Sequence, residues 1–130
     1  MTDISTADDV HTLVHRFYDK IRADDLLGPV FALRIGTDGW APHLARMCTF
    51  WGTVLFNERG YYGNPFAAHR ELPVDAEHFE HWLDLFRVTV DEYFAGPKAD
   101  EAKWRAERMA EMFQLKLKYY RERPGAEGIL

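Results

Sequence analysis

Apolar side chains recur along the chain at helical spacing, one face per turn. Val10, Leu13, Val14, Phe17 and Ile21 follow the i, i+3, i+4, i+7 pattern. Ser5 with Asp8 three residues on resembles a capping box, so a first long helix is predicted over about 6–22. Asp24-Asp25 and Gly28-Pro29 then break the chain, with one short turn expected to end near Phe31. Trp40, Leu44, Met47, Trp51 and Val54 form the next stripe. A second long helix is therefore predicted over about 39–56, capped from the loop Gly36-Thr37-Asp38-Gly39. Residues 57–64 carry Gly and Asn and read as loop. Pro65 suits a first helical position, and with Pro73 it bounds one or two predicted turns ending at Leu72. Asp75 can cap a third long helix over about 76–95, with the stripe Phe79, Trp82, Leu83, Phe86, Val90 and Tyr93. Gly96-Pro97 stops it. The last helix, about 99–121, carries Ala102, Ala106, Met109, Ala110, Phe113 and Leu117, and a tail begins at Pro124-Gly125. Four long helices, two short ones and no strand define an all-α protein. The long connection after the second helix is of a kind more often functional than structural.

The chain has 130 residues, which predicts one domain spanning residues 1–130. Its apolar share is 47% and its charged share 28%, enough for a real core and against disorder. The longest strongly apolar stretch, Phe50 to Phe56, is far shorter than the roughly 20 residues of a membrane span. No membrane association is expected. The N-terminus carries Asp3, Asp8 and Asp9 without a basic-then-apolar pattern, so no signal peptide is expected. Net charge is -5, and Lys and Arg are scattered except for mild enrichment from Lys116 to Arg123, where cations suit a helix C-terminus. A nucleic-acid partner is not expected on that pattern. Cys48 is the one cysteine, which excludes an intrachain disulfide and favours a reducing, cytoplasmic setting.

Aromatic residues make up 15% of the chain. Two readings fit this. The core is simply aromatic-rich, or the domain wraps a large flat ligand in a pocket of apolar and aromatic side chains.

The histidines divide by helix face. His81 lies roughly 150° from the centre of its stripe and should be solvated. His78 sits at the edge of that stripe, and His11 and His15 lie on the flank of the first helix; all three read as surface residues. His78 and His81 stand at i, i+3, a metal-compatible spacing, but matching helices lack the carboxylates of a di-metal site. His43 and His69 differ. His43 follows Trp40 by three residues and precedes Met47 by four, on the inward side of its helix. His69 stands three residues from both Phe66 and Leu72, also facing inward. A buried imidazole must find partners. It finds them as a satisfied core histidine or as a ligand, and neutral imidazole is the usual axial ligand of haem iron. Tyr18 and Trp82 each join an apolar body to a polar hydrogen that wants an acceptor when buried.

Taken together, these residues resemble the truncated haemoglobins, specifically the third group of that family. The similarity runs from about Val10 to Tyr120. It is carried by Phe17-Tyr18 and the following Asp25-Leu26-Leu27-Gly28-Pro29-Val30-Phe31, then by Trp40 with His43 three residues on, and by Phe50-Trp51. It continues in Tyr62-Gly63-Asn64-Pro65 leading to His69, and in His78-Phe79-Glu80-His81-Trp82-Leu83-Asp84-Leu85-Phe86. The glycine pairs typical of the other two groups are missing, as that third group would have it. The resemblance implies a two-over-two globin-like helical sandwich holding haem b. His69 matches the proximal iron ligand, and Tyr18, His43 and Trp82 match the polar residues of the distal, ligand-binding side. Phe31, Met47 and Phe79 match haem-packing positions. Helix geometry further points Arg46 to the haem edge, where it can pair with a propionate.

The resemblance implies diatomic gas ligands, O2, CO and NO, at an iron with one open position. A bound O2 draws negative charge, so donors such as the Tyr18 hydroxyl and the Trp82 indole favour retention over release. Tight O2 binding with slow release is expected, and such a pocket also suits nitric oxide dioxygenase-like or peroxidase-like chemistry. His43 has three open roles: donor to the ligand, gate, or iron ligand in the unliganded state. No flavin or nicotinamide fingerprint identifies an electron donor. The contrasting expectation is a cofactor-free helical interaction module, in which these aromatics only pack.

Overall fold

The computed structural model describes residues 1–61 and 73–122. Among them are five helices and no strand: α1 (Ala7–Ala23), α2 (Leu27–Ile35), α3 (Trp40–Phe56), α4 (Ala76–Tyr93) and α5 (Pro97–Glu122). The short helix expected between Pro65 and Leu72 lies outside the described residues, as does the tail.

Helix α1 buries the whole of its predicted stripe, and Tyr18 besides. Its cap differs by one residue from the expected one. Thr6 is the N-cap and accepts from the Asp9 backbone N–H at 3.1 Å, while the Asp9 carboxylate accepts from the Thr6 N–H at 3.0 Å. The same carboxylate also accepts from the Ser5 backbone and hydroxyl. The pair Thr6/Asp9 thus forms the box that was expected at Ser5/Asp8. These bonds, the Ser5 backbone first, hold the Asp9 carboxyl below its ordinary value.

Helix α2 is longer than the predicted turn, with nine residues. Pro29 does not break it, because it falls in the first turn, where backbone N–H groups have no intrahelical partner. Asp24 supplies the cap from outside, accepting from the Leu26 and Leu27 backbone N–H groups at 3.1 and 2.9 Å. Gly28 lies in the crossing of α1 and α2; a Cβ there would stand 2.9 Å from the Arg22 carbonyl oxygen.

Helix α3 begins without the side-chain cap expected from the Gly36–Gly39 loop; its N-cap is Gly39 in a right-handed conformation. Helix α4 carries the predicted Asp75 cap and ends at Tyr93, two residues early. Gly96, at φ 145°, then turns the chain straight into α5, whose first residue is Pro97. Asp3 closes this corner. Its carboxylate accepts from the Lys98 and Ala99 backbone N–H groups at 2.9 and 2.8 Å, which ties the N-terminal segment to the start of α5.

Helix α1 is the common partner, packed on α2, α3 and α4, while α4 packs on α5 and α3 touches α5. Arg87–Glu107 and Lys103–Asp91 bridge α4 to α5 at 2.6 and 2.8 Å. The core divides in two. The larger cluster centres on Phe17, Leu13, Ile21, Phe86 and Val90; a smaller one joins Val74, Phe79, Ala110, Leu117 and Tyr120. The space between them is where the site lies. No helix among the described residues is long and apolar enough to cross a membrane.

Candidate functional site: a cleft between two core clusters

A cleft opens between the two clusters, and all five helices line it. It holds about 1040 Å³ of space, its open mouth included. It opens to solvent, and its wall is mostly apolar and aromatic, the lining that suits a large flat ligand. α1 gives Tyr18, and α2 gives Leu27 and Phe31. α3 gives His43, Arg46, Met47, Phe50 and Trp51. α4 gives His78, Phe79 and Trp82, and α5 gives Met109, Ala110 and Phe113; Tyr61 and Val74 complete the wall.

Seven residues singled out from the sequence therefore share one cleft: Tyr18, Phe31, His43, Arg46, Met47, Phe79 and Trp82. His69 lies outside the described residues. The helical periods explain the convergence. Tyr18 sits beside the buried stripe of α1, Met47 follows His43 by one turn on α3, and Trp82 lies on the stripe of α4. Phe31, Met47 and Trp82 pack against the larger cluster, whereas Phe79 belongs to the smaller one. The two walls are thus drawn from different halves of the core.

The polar residues are held by aromatic rings. The Tyr18 ring meets those of His43, Phe31 and Trp40 edge to face, with centroids at 5.0, 6.0 and 6.0 Å. Trp82 stacks on Phe86 at 5.8 Å and meets the edge of Phe17 at 5.6 Å. Burial pushes the Tyr18 phenol well above its ordinary value, so it stays a neutral donor. Among the described residues, neither the Tyr18 hydroxyl nor the Trp82 indole N–H has a hydrogen-bond partner. Two donors without a partner among the described residues suit a ligand that accepts. Arg46 is exposed at the cleft, and among the described residues it makes no ion pair. Its charge is felt by Tyr61, whose phenol is raised by burial and lowered in part by that guanidinium.

Several wall residues were not distinguished in the sequence. Met109, Ala110 and Phe113 read as ordinary core on the stripe of α5, and periodicity does not tell a core face from a cavity face. Tyr61, which meets Phe50 edge to face at 5.1 Å, carried no signal beyond aromatic composition, whereas Phe50 entered only through the resemblance. His78 requires a correction: it is no surface residue but lines the cleft with its side chain 15% exposed. Its neighbour on the helix wall is the cavity, which a stripe-edge angle does not reveal. His81 is 44% exposed, with Nδ1 3.4 Å from Asp24. His11 and His15 stack outside the cleft at 3.8 Å. Cys48 is half-buried, and burial raises its thiol.

A helical domain whose core parts around an aromatic cleft, with a tyrosine hydroxyl and an indole N–H among its lining residues and an arginine at its edge, all unpaired among the described residues, belongs to the class of cofactor-holding globin folds. The bacterial-like globin family model matches residues 2–116. The chain is 36% identical over 111 residues to group 3 truncated hemoglobin ctb of Campylobacter jejuni, covering 83% of this chain and 87% of that one. The crystal structure of the group III truncated hemoglobin from Campylobacter jejuni matches with a TM-score of 0.82 and 33% identity, covering 90% of this chain and 95% of that one. The chain belongs to the bacterial-like globin family, among the truncated haemoglobins of the third group. Its cofactor is haem with its iron, and its ligands are diatomic gases. The expectation of a cofactor-free interaction module gives way to that membership.

Proposed function

We propose that the whole chain forms one haem-binding domain, and that the cleft between the two core clusters holds haem b. The observation that carries this is the convergence of the seven residues on one cleft. When bound, the haem supplies an iron with an open position for O2, CO or NO. His69 is the residue we assign as the one that would hold the iron. Phe31, Met47 and Phe79 pack on the macrocycle, and Arg46 pairs with a propionate.

The protein's own contribution is a set of fixed donors. Tyr18 and Trp82 line the cleft, and among the described residues neither the Tyr18 hydroxyl nor the Trp82 N–H has a competing partner. Each well-placed bond to a gas ligand that draws negative charge is worth about 1–3 kcal/mol. His43, edge-on to Tyr18, holds the tyrosine ring in place and offers a third polar atom. This arrangement favours tight O2 binding and slow release. It suits nitric oxide oxidation or peroxide reduction better than oxygen delivery, and either turnover draws on an electron donor still to be identified. Cys48, as the one cysteine, supports work in the reducing cytoplasm.

The test is the visible spectrum of the purified protein, oxidised and reduced, with and without CO, for the wild type and His69→Ala. A Soret band that shifts with CO and is altered by the substitution is the expected result. A colourless protein after haem addition would overturn the reading.

A further inference from the structure

His78 lies one helical turn before Trp82 on α4, so both side chains project from the same face. Both line the cleft. His78 has a second attachment. At the N-terminus of α4 its Nδ1 stands 3.2 Å from the backbone N–H of Asp75 and 3.0 Å from the Asp75 carboxylate. That carboxylate is held below its ordinary value, by the His78 hydrogen bond first and the Glu77 backbone second.

These two contacts decide where the imidazole proton sits. Where Nδ1 of neutral His78 accepts from the Asp75 N–H, the proton sits on Nε2; where Nδ1–H donates to the Asp75 carboxylate instead, Nε2 is an acceptor. In protonated His78, Nδ1–H donates to the Asp75 carboxylate, and Nε2 carries a proton as well. Nε2–H is thus a donor in protonated His78, and in the neutral ring when Nδ1 accepts from the Asp75 N–H. Among the described residues Nε2 has no hydrogen-bond partner. The side chain is 15% exposed and anchored to a cap residue whose side chain is 68% exposed. It therefore stands where the cleft meets water rather than at its floor. A helix N-terminus there favours negative charge as well.

We infer that His78 is a carboxylate-binding residue of this site, its Nε2–H donating to a haem propionate at the cleft edge. The inference rests on the reading that the cleft holds haem. It assigns His78 a role beside Arg46, as an oriented hydrogen bond beside a point of charge.

Charge reversal with the cap retained provides the test. Glu is a favoured residue three positions after an N-cap, so His78→Glu keeps the capping box with Asp75 while placing a carboxylate toward the propionate. Haem loss is measured by transfer to excess apomyoglobin, together with the thermal midpoint of the apoprotein. H78E should lose haem about tenfold faster or more, with the midpoint little changed. The same pair is then loaded with haem dimethyl ester, whose propionates are blocked, and the difference in rate should collapse. Equal haem loss from a pigmented H78E and wild type overturns the assignment of His78 alone. So does a rate difference that persists with the ester, which would mark His78 as structural support for α4. A wild-type protein without a CO-shifted Soret band overturns the haem reading and this assignment with it.

Discussion

The rings of Tyr18 and His43 meet at 87° with centroids 5.0 Å apart, one from α1 and the other from α3. Each limits the other's rotation, so the Tyr18 hydroxyl keeps one direction into the cleft. Tyr18→Phe preserves that packing and removes only the donor. Release of O2 should then quicken about fivefold or more, and further in the double variant with Trp82→Phe. Stopped-flow displacement of O2 by CO reads the rates. Equal rates in the wild type and the double variant would end the donor argument.

Burial of Tyr18 has a signature at high pH. Its folded-state pKa lies above the unfolded value near 10, so its contribution to stability is intact below about pH 10 and is lost as pH rises beyond it. Between about pH 9 and 11, the tyrosinate absorbance of the folded protein should be the same in wild type and Tyr18→Phe. A smaller amplitude in the variant would show that Tyr18 titrates with the exposed tyrosines.

Asp3 is tested at the other end of the scale. Partial burial opposes ionisation there, but hydrogen bonds from the Lys98 and Ala99 backbones outweigh it and lower the pKa. Its stabilising effect is therefore present above the unfolded value of about 4 and is lost as pH falls below it. Asp3→Ala should cost about 1–2 kcal/mol at neutral pH, as other lost helix caps do. Urea unfolding at pH 7 and near pH 3 checks both points: the difference between wild type and variant should shrink at the lower pH.

Gly28→Ala should destabilise the protein, although alanine is the better helix former. The new Cβ would stand 2.9 Å from the Arg22 carbonyl oxygen, which is backbone and does not rotate away. A cost of about 1–3 kcal/mol is expected from such overpacking. A thermal midpoint at or above that of the wild type would contradict it.

Much of the fold was legible because α1 buries the whole stripe its spacing marks, and α4 and α5 bury part of theirs, Phe79, Phe86 and Val90 in one and Ala102, Ala106, Ala110 and Leu117 in the other, while Tyr93 stays exposed. Two local features were not legible for definite reasons. In the first helix, Ser5 and Thr6 both precede an aspartate by three residues, and only the chain's entry angle chooses between the two pairs. In the second, Gly28-Pro29 has the composition of a break, yet a first turn tolerates proline and Asp24 supplies the cap. The cleft posed a different problem. Tyr18, His43 and Trp82 stood out as polar groups on apolar faces, so their side of the cleft could be assembled from periodicity and resemblance. Met109 and Phe113 did not stand out, because a residue facing a cavity and one facing a neighbour share the same sequence pattern. His78 was misplaced because an angle on one helix carries no information about what the next helix leaves open.

Phe17 faces away from the cleft's contents, yet it touches the rings of both donors: Tyr18 at 5.0 Å and Trp82 at 5.6 Å, with Phe86 behind at 5.2 Å. It is a mechanical link between two groups that would otherwise be tuned independently. A change of volume at this position shifts both donors at once and in a correlated way. Evolution can therefore alter the gas preference of such a pocket from behind, through a side chain that no ligand meets. The same wiring makes the pocket hard to redesign one residue at a time.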